Sequence, residues 1–360
     1  MAIGINGLAD DLTSPRLIAG DAPGGYERLL SALRDLRDES ALLEPLEEAW
    51  RDRAFFGVHS RPLLILAAWR FHALSDPDHP LAPEVLSDAE APELEARVRE
   101  ALSDPALVAT LATRSVQTNE PGRALAWGLV AMSLELPHRG FALADLGASA
   151  GLNLVVDRAA LPLRFGVEKV STLDFPSPRR RLGLDPEPLD VAVDAEAVRW
   201  LRACIWPGQP ERIERFEACV ALYQKAWEGT DPGPELRRHR LGEMGTATVL
   251  AELDADLPGH AVLAFESAAQ PYLAEDVAVR YRADLEGWLR GDARRLWVTL
   301  NPAPPGPSGS GGGPMAAVVH FARGGELVTL ELARCSYHPS GCTLVPGAVS
   351  ELRARWSVGG

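Results

Sequence analysis

The chain has 360 residues, 46% of them hydrophobic, and a formal net charge of −14. That length supplies one large domain or two smaller ones, each with its own core. The negative charge argues against unspecific binding to nucleic-acid backbones or anionic membranes, and no apolar run reaches the ~18 residues a membrane span needs.

Residues 24–136 predict helix after helix. "YERLLSALRDLRDESALLEPLEEAW" spaces its apolar positions three and four apart, which marks one buried stripe. "RPLLILAAWRFHAL" is apolar nearly all round, so it predicts a buried helix in which His72 is a hydrogen-bonded core residue. "SDAEAPELEARVREAL" opens with Ser87, Asp88 and further acids, which suit a helix N-terminus. "PGRALAWGLVAMSLEL" follows the polar stretch "QTNE".

From residue 140 the texture changes. "GFALADLG" is a short apolar run closed by glycine, the pattern of a buried parallel strand. "RLGLD", "ELRRHRLGE", "HAVLAFES" and "RRLWVTLN" follow as strands ending on polar residues, separated by amphipathic helices such as "LAEDVAVRYRADLEGWLR". Arg323-Gly324-Gly325 turns two final strands into a hairpin. Such alternation predicts an α/β fold with a mostly parallel sheet and a C-terminal antiparallel hairpin. The expected division is a helical N-terminal domain over 1–138 and an α/β domain over 139–360. The Gly/Pro/Ser-rich segment 301–314 reads as a slack connection or a lid.

Cys204, Cys219, Cys335 and Cys342 match no zinc spacing and are too sparse for a disulfide framework. With no secretory signal at the start, a cytoplasmic protein with reduced thiols and no metal is expected.

"ALADLGASAGLNLVVDR" (142–158) fits two templates. As G-x-S-x-G it is a nucleophile elbow with Ser149 as a hydrolytic serine. That reading also needs an acid and a histidine downstream, for which Asp292 and His338 are the candidates. As D-x-G-x-S-x-G it is a loop that cradles an adenosyl cofactor. An elbow follows several earlier strands, whereas here everything upstream reads as helix, which favours the cofactor loop. The glycines at 147 and 151 let the backbone turn sharply, and a helix from Leu152 is expected to aim its positive end at the loop.

The loop, the acids at later strand ends and the closing hairpin resemble class I methyltransferases, which use S-adenosylmethionine. The resemblance implies a Rossmann-like sheet and cofactor binding by Asp145, Gly147, Ser149 and Gly151. It further implies Asp185 on the ribose and Glu243 on the adenine. Ser149 stands at the usual middle glycine, and Asp185 lies some forty residues after Asp145.

"TRSVQTNEPGRA", "DLGASAGLNLVVDR", "LGLDPEPLDV" and "WPGQPERIERFEA" together resemble an uncharacterised bacterial family of unknown function. The resemblance implies a methyltransferase-like fold, predicted for that family, behind a helical N-terminal region. The family's members usually carry His-Ser after the strand matching "AVLAF"; this chain has Glu266-Ser267.

Methyl transfer depends mostly on in-line positioning, with a base where the acceptor must lose a proton. Glu266 is the expected base, with Tyr272 nearby. Gln117, Asn119, Glu120 and Arg123 exceed what a helix cap needs and are expected to contact substrate. The expected function is methyl transfer to a small molecule, without nucleic-acid or membrane partners. A non-catalytic ligand-binding scaffold and, less favoured, a serine hydrolase using Ser149 are the alternatives.

Overall fold

The computed structural model describes residues 7–13, 23–55, 60–136, 140–228, 233–303 and 313–356. Most of the Gly/Pro/Ser-rich segment, residues 304–312, lies outside the described residues. Two compact units divide the chain: Met1–Thr118 with Ala195–Glu214, and Asn119–Asp194 with Arg215–Gly360. The first unit therefore takes in a stretch far along the sequence, and its N-terminal part stops about twenty residues before the expected boundary at 138.

The described residues of the first unit form helices and no strand. They are α1 (Leu8–Thr13), α2 (Gly24–Asp35), α3 (Ser40–Ala49), α4 (Ser60–Ala73), α5 (Ala82–Ser87), α6 (Leu94–Leu102) and α7 (Pro105–Thr113). α4 buries residues on every side, as its unbroken apolar sequence requires. His72 on α4 bonds through Nε2 to Thr110 Oγ1 at 3.0 Å, the hydrogen bond expected of it, but it is half-buried rather than a core residue. Ser87 and Asp88 start no helix. Asp88 instead ends α5 in the left-handed conformation (φ 58°), and α6 begins only at Leu94. The inserted stretch adds α9 (Ala195–Ala203) and the start of α10 (Pro210–Glu228), while α8 (Leu125–Ser133) belongs to the second unit.

The second unit is built on one ten-stranded sheet. In chain order its strands are β1 (Phe141–Leu146), β2 (Pro162–Phe165), β3 (Glu168–Ser171), β4 (Arg180–Asp185), β5 (Glu235–Arg238), β6 (Ala261–Ser267), β7 (Arg295–Pro302), β8 (Met315–Arg323), β9 (Glu326–Cys335) and β10 (Gly341–Leu344). In space they run β3-β2-β10-β9-β8-β7-β6-β1-β4-β5. β5, β4, β1, β6 and β7 are mutually parallel. Taken as parallel strands in chain order they lie 3-2-1-4-5, a doubly wound arrangement whose direction reverses beside β1. β8 and β9 form the expected hairpin, antiparallel to β7 and to each other. The sheet does not end there, because β10, β2 and β3 extend it.

Every residue of β1 is buried, as in a strand covered on both faces. On one face α11 (Thr246–Asp256) and α12 (Glu275–Gly291) pack Leu250, Leu253, Leu285 and Trp288 onto Ala142, Leu182, Val262 and Trp297. On the other, Trp127 of α8 meets Phe141 and Phe175 at ring-centroid distances of 6.2 and 5.4 Å. α13 (Ala348–Arg355) closes the described chain.

The helix expected from Leu152 is absent. Two three-residue 3₁₀ turns, Leu152–Leu154 and Val156–Arg158, take its place. The reason lies in the carbonyls: Trp127 Nε1 donates to Asn153 O at 3.2 Å, and the Arg181 guanidinium donates to Leu154 O. Both acceptors would be needed for the first α-helical bonds. Arg181 is in turn locked by Asp157, with buried contacts of 2.6 and 2.9 Å.

Candidate functional site

Because β1, β4, β6 and β7 are parallel, their carboxyl ends share one end of the sheet. Asp145 and Asp185 are carried there by β1 and β4, Glu266 by β6 and Asn301 by β7. Asp145 stands opposite Gly183 and Phe265 in the register, and Leu146 opposite Glu266.

The loop 147–151 is held from three sides. Gly147 N and Ala148 N donate to Leu184 O at 2.8 and 3.1 Å. Asp185 accepts from Ser149 N through Oδ2 at 2.8 Å and from Glu187 N through Oδ1 at 2.9 Å. Asn119 donates through Nδ2 to Ala148 O at 2.7 Å and accepts from Leu152 N through Oδ1 at 3.1 Å. Gly147 and Gly151 have φ of 87° and 72°, and Ser149 holds 53°, an unusual value for a residue with a Cβ. A Cβ on Gly151 would come within 2.9 Å of Leu236 Cδ2.

Asp145 is the unusual group. Its side chain is buried, and its Oδ2 has no hydrogen-bond partner among the described residues. Burial pushes its carboxyl up to about 8; Asp185 and Glu266 add to the rise, while Arg123 and a hydrogen bond from Asn153 oppose it. Burial also raises Asp185, against the two backbone donors that favour its ionised form.

Glu266 differs from the expected open base. It is fully buried and its two oxygens take four donors. Oε1 accepts from Asn301 Nδ2 at 2.9 Å and Gln270 N at 3.3 Å, and Oε2 from Gln270 Nε2 and the Tyr281 hydroxyl, each at 3.1 Å. Burial raises its carboxyl nonetheless. The geometry makes Glu266 a hub that ties the carboxyl ends of β6 and β7 to the body of α12. Tyr272 lies in an exposed 3₁₀ turn, Gln270–Tyr272.

The "QTNE" cluster is dispersed in role. Gln117 falls in the first unit. Asn119 holds the loop, and Glu120 caps the turn at Pro121 by accepting from Gly122 N at 3.1 Å. Glu120 also pairs with Arg215 at 3.1 Å, and Arg123 donates through Nε to Tyr337 O at 3.1 Å. Glu243 does not end a strand: β5 stops at Arg238, and Glu243 sits in the turn beyond, exposed and 3.8 Å from Arg240.

Asp292 precedes β7, at the amino end of the parallel strands, and is held by Arg294. It cannot join Ser149 in a triad. A cavity of about 440 Å³, lined in part by Ala261 and Arg294, opens at that same amino end, away from the carboxylates. Asn301, Tyr281 and Arg215 escaped the sequence reading, since each acts on a partner distant in the chain. Only Asn301, closing the strand pattern "RRLWVTLN", carried a local signal.

A family model described as an uncharacterised protein conserved in bacteria, DUF2332, matches residues 19–343. The chain belongs to this family. The match takes in the glycine loop, all three strand-end carboxylates and both units. No curated protein matches the chain. Among the described residues there is no helix long and apolar enough to cross a membrane and no cluster arranged to hold a metal ion. The four cysteines are buried and unpaired with one another.

Proposed function

We propose that the second unit binds S-adenosylmethionine at the carboxyl ends of β1 and β4 and passes its methyl group to a small molecule. The observation that carries the reading is Asp145, a buried carboxyl group whose Oδ2 has no hydrogen-bond partner among the described residues, beside the reversal point of a doubly wound sheet. Leaving such an atom unmade costs about 1–3 kcal/mol, and a ligand ammonium would recover it.

The residues fit the cofactor in most respects. Asp145 receives the ammonium, and the glycines at 147 and 151 supply the positive φ that the turn of the loop requires. Asp185 keeps lone pairs for two hydroxyls after bracing Ser149 and Glu187, since a carboxylate offers about four acceptor positions. The turn with Glu243 follows β5, the neighbour of β4, and takes the adenine end. Only the helix dipole behind the loop is missing. When bound, the sulfonium supplies an electrophilic methyl carbon. Glu266 positions strand ends in this reading, and Tyr272 remains on the acceptor side.

The saturated state of Glu266 favours one alternative, a scaffold that binds the same ligand without turnover. Hydrolysis by Ser149 finds less support, because β1 is the first strand of its sheet and Asp292 belongs to the other end.

Hydrogen exchange tests the reading. S-adenosylhomocysteine should slow exchange of the Ala148–Leu152 amides at least tenfold, and Asp185→Ala should abolish that protection. Unchanged exchange under saturating ligand would contradict it. Transfer of a labelled methyl group to a panel of small amines and phenols then separates enzyme from scaffold.

A further inference from the structure

β9 is antiparallel to β8, which is antiparallel to β7. β9 therefore runs with β1, and the segment after it, Ser336–Ser340, leaves the sheet at the same end as the glycine loop. This segment is bound to the turn that carries Glu120 and Arg123. Arg123 Nε donates to Tyr337 O at 3.1 Å, and the backbone at Gly122 lies so close to Pro339 O that a Cβ would meet it at 2.0 Å. His338 is thereby set with Nδ1 3.9 Å from Glu120 Oε2, its side chain about one-third exposed while that of Glu120 is 2% exposed. Glu120 has its other oxygen fixed by Arg215 and Gly122 N. Next to it in sequence, Asn119 holds the glycine loop through both side-chain atoms, and Arg123 is close enough to Asp145 to lower its carboxyl.

At 3.9 Å the two groups do not hydrogen-bond; the buried, immobilised carboxylate acts on the part-exposed imidazole as a nearby opposite charge, which favours its protonated form. We propose that His338, held by its tethered segment and charge-paired with Glu120, is the base that takes the acceptor's proton, so that the acceptor carries an ionisable N–H or O–H. The inference rests on the methyl-transfer reading and supplies the base that the enclosed Glu266 does not. His338 takes the proton through Nε2. The acceptor's lone pair forms the bond to the methyl carbon, and the carbon–sulfur electron pair leaves with sulfur as a thioether. Acceptors that react through a lone pair without losing a proton would have no use for this histidine. Among the described residues, Glu120 faces His338, Arg215 is paired with Glu120, and Arg123 is bonded to the carbonyl of the neighbouring Tyr337.

The test follows the His338 imidazole by NMR, with its resonances assigned by their loss in His338→Gln. S-adenosylhomocysteine should shift them, and Glu120→Gln should lower the His338 titration midpoint by about one pH unit. Should Glu120→Gln fail to fold, Glu120→Asp, which withdraws the carboxylate by one methylene, should give a smaller shift of the same sign. His338→Gln should bind S-adenosylhomocysteine within about twofold of the wild type while losing 10²–10⁴-fold in transfer to amines or phenols. Binding seen by calorimetry with an unmoved His338 would overturn the inference and leave the cofactor reading standing. Absence of any binding would instead remove the cofactor reading, whatever His338 and Glu120 do to one another.

Discussion

Asp145 sets the residue scale. Its folded carboxyl, pushed up to about 8 by burial, lies above the ordinary unfolded value, so the folded state holds a proton that the unfolded state gives up. The associated stability is fully present below pH ~4 and is lost as pH rises toward 8. That loss amounts to roughly 5 kcal/mol. Asp145→Asn should thus unfold at a higher temperature than the wild type at pH 8, with the advantage shrinking to nothing near pH 4. Parallel melting curves across that range would show that Asp145 ionises freely. At Glu266 the expectation is different. All four partners donate, so Glu266→Gln presents an amide to groups that need an acceptor and should cost about 1–3 kcal/mol in chemical denaturation. A neutral substitution there would mean the hub is dispensable.

At the scale of elements, the glycine loop shows what the sequence could carry. A continuous apolar run closed by glycine identifies β1 and the turn after it, because local backbone demands are written into local residues. The 3₁₀ turns that follow were not legible, since Trp127 and Arg181, both distant in the chain, take the carbonyls a helix would use. β2, β3 and β10 were missed for a related reason: each is short, and β2 and β10 are held by pairing with each other across nearly two hundred residues rather than by a local pattern. The site divides in the same way. Asp145, Asp185 and the glycines stand where local pattern suggested, whereas the enclosure of Glu266 depends on Tyr281 and Asn301 from other elements. Asn119 was legible as a polar residue in a dense cluster but not as the clamp of a loop some thirty residues away. Asn119→Ala should destabilise the protein by about 1–3 kcal/mol and speed amide exchange at Leu152. An unchanged Leu152 rate would deny the clamp.

On the scale of the whole molecule, the two units return to one another along the chain, so a boundary drawn once in sequence could not capture them. The match to one bacterial family spans both. The histidines give the acid side of the stability profile. Burial lowers His72 and His79 in the first unit and His239 in the second. Their folded values lie below the unfolded ~6.5, so the stability they confer is present above that pH and is lost as pH falls below it. Together with Asp145, whose effect runs the other way, they predict melting temperatures that decline below pH ~6.5 and, in Asp145→Asn, improve toward the alkaline side.

The central claim is that the carboxyl end of this sheet holds an adenosyl ligand between Asp145 and Asp185. Titration calorimetry of the intact protein with S-adenosylhomocysteine, alongside Asp185→Ala, meets it most directly. The account predicts saturable one-to-one binding that weakens at least tenfold in the variant. Equal binding by both proteins, or none by either, would contradict it.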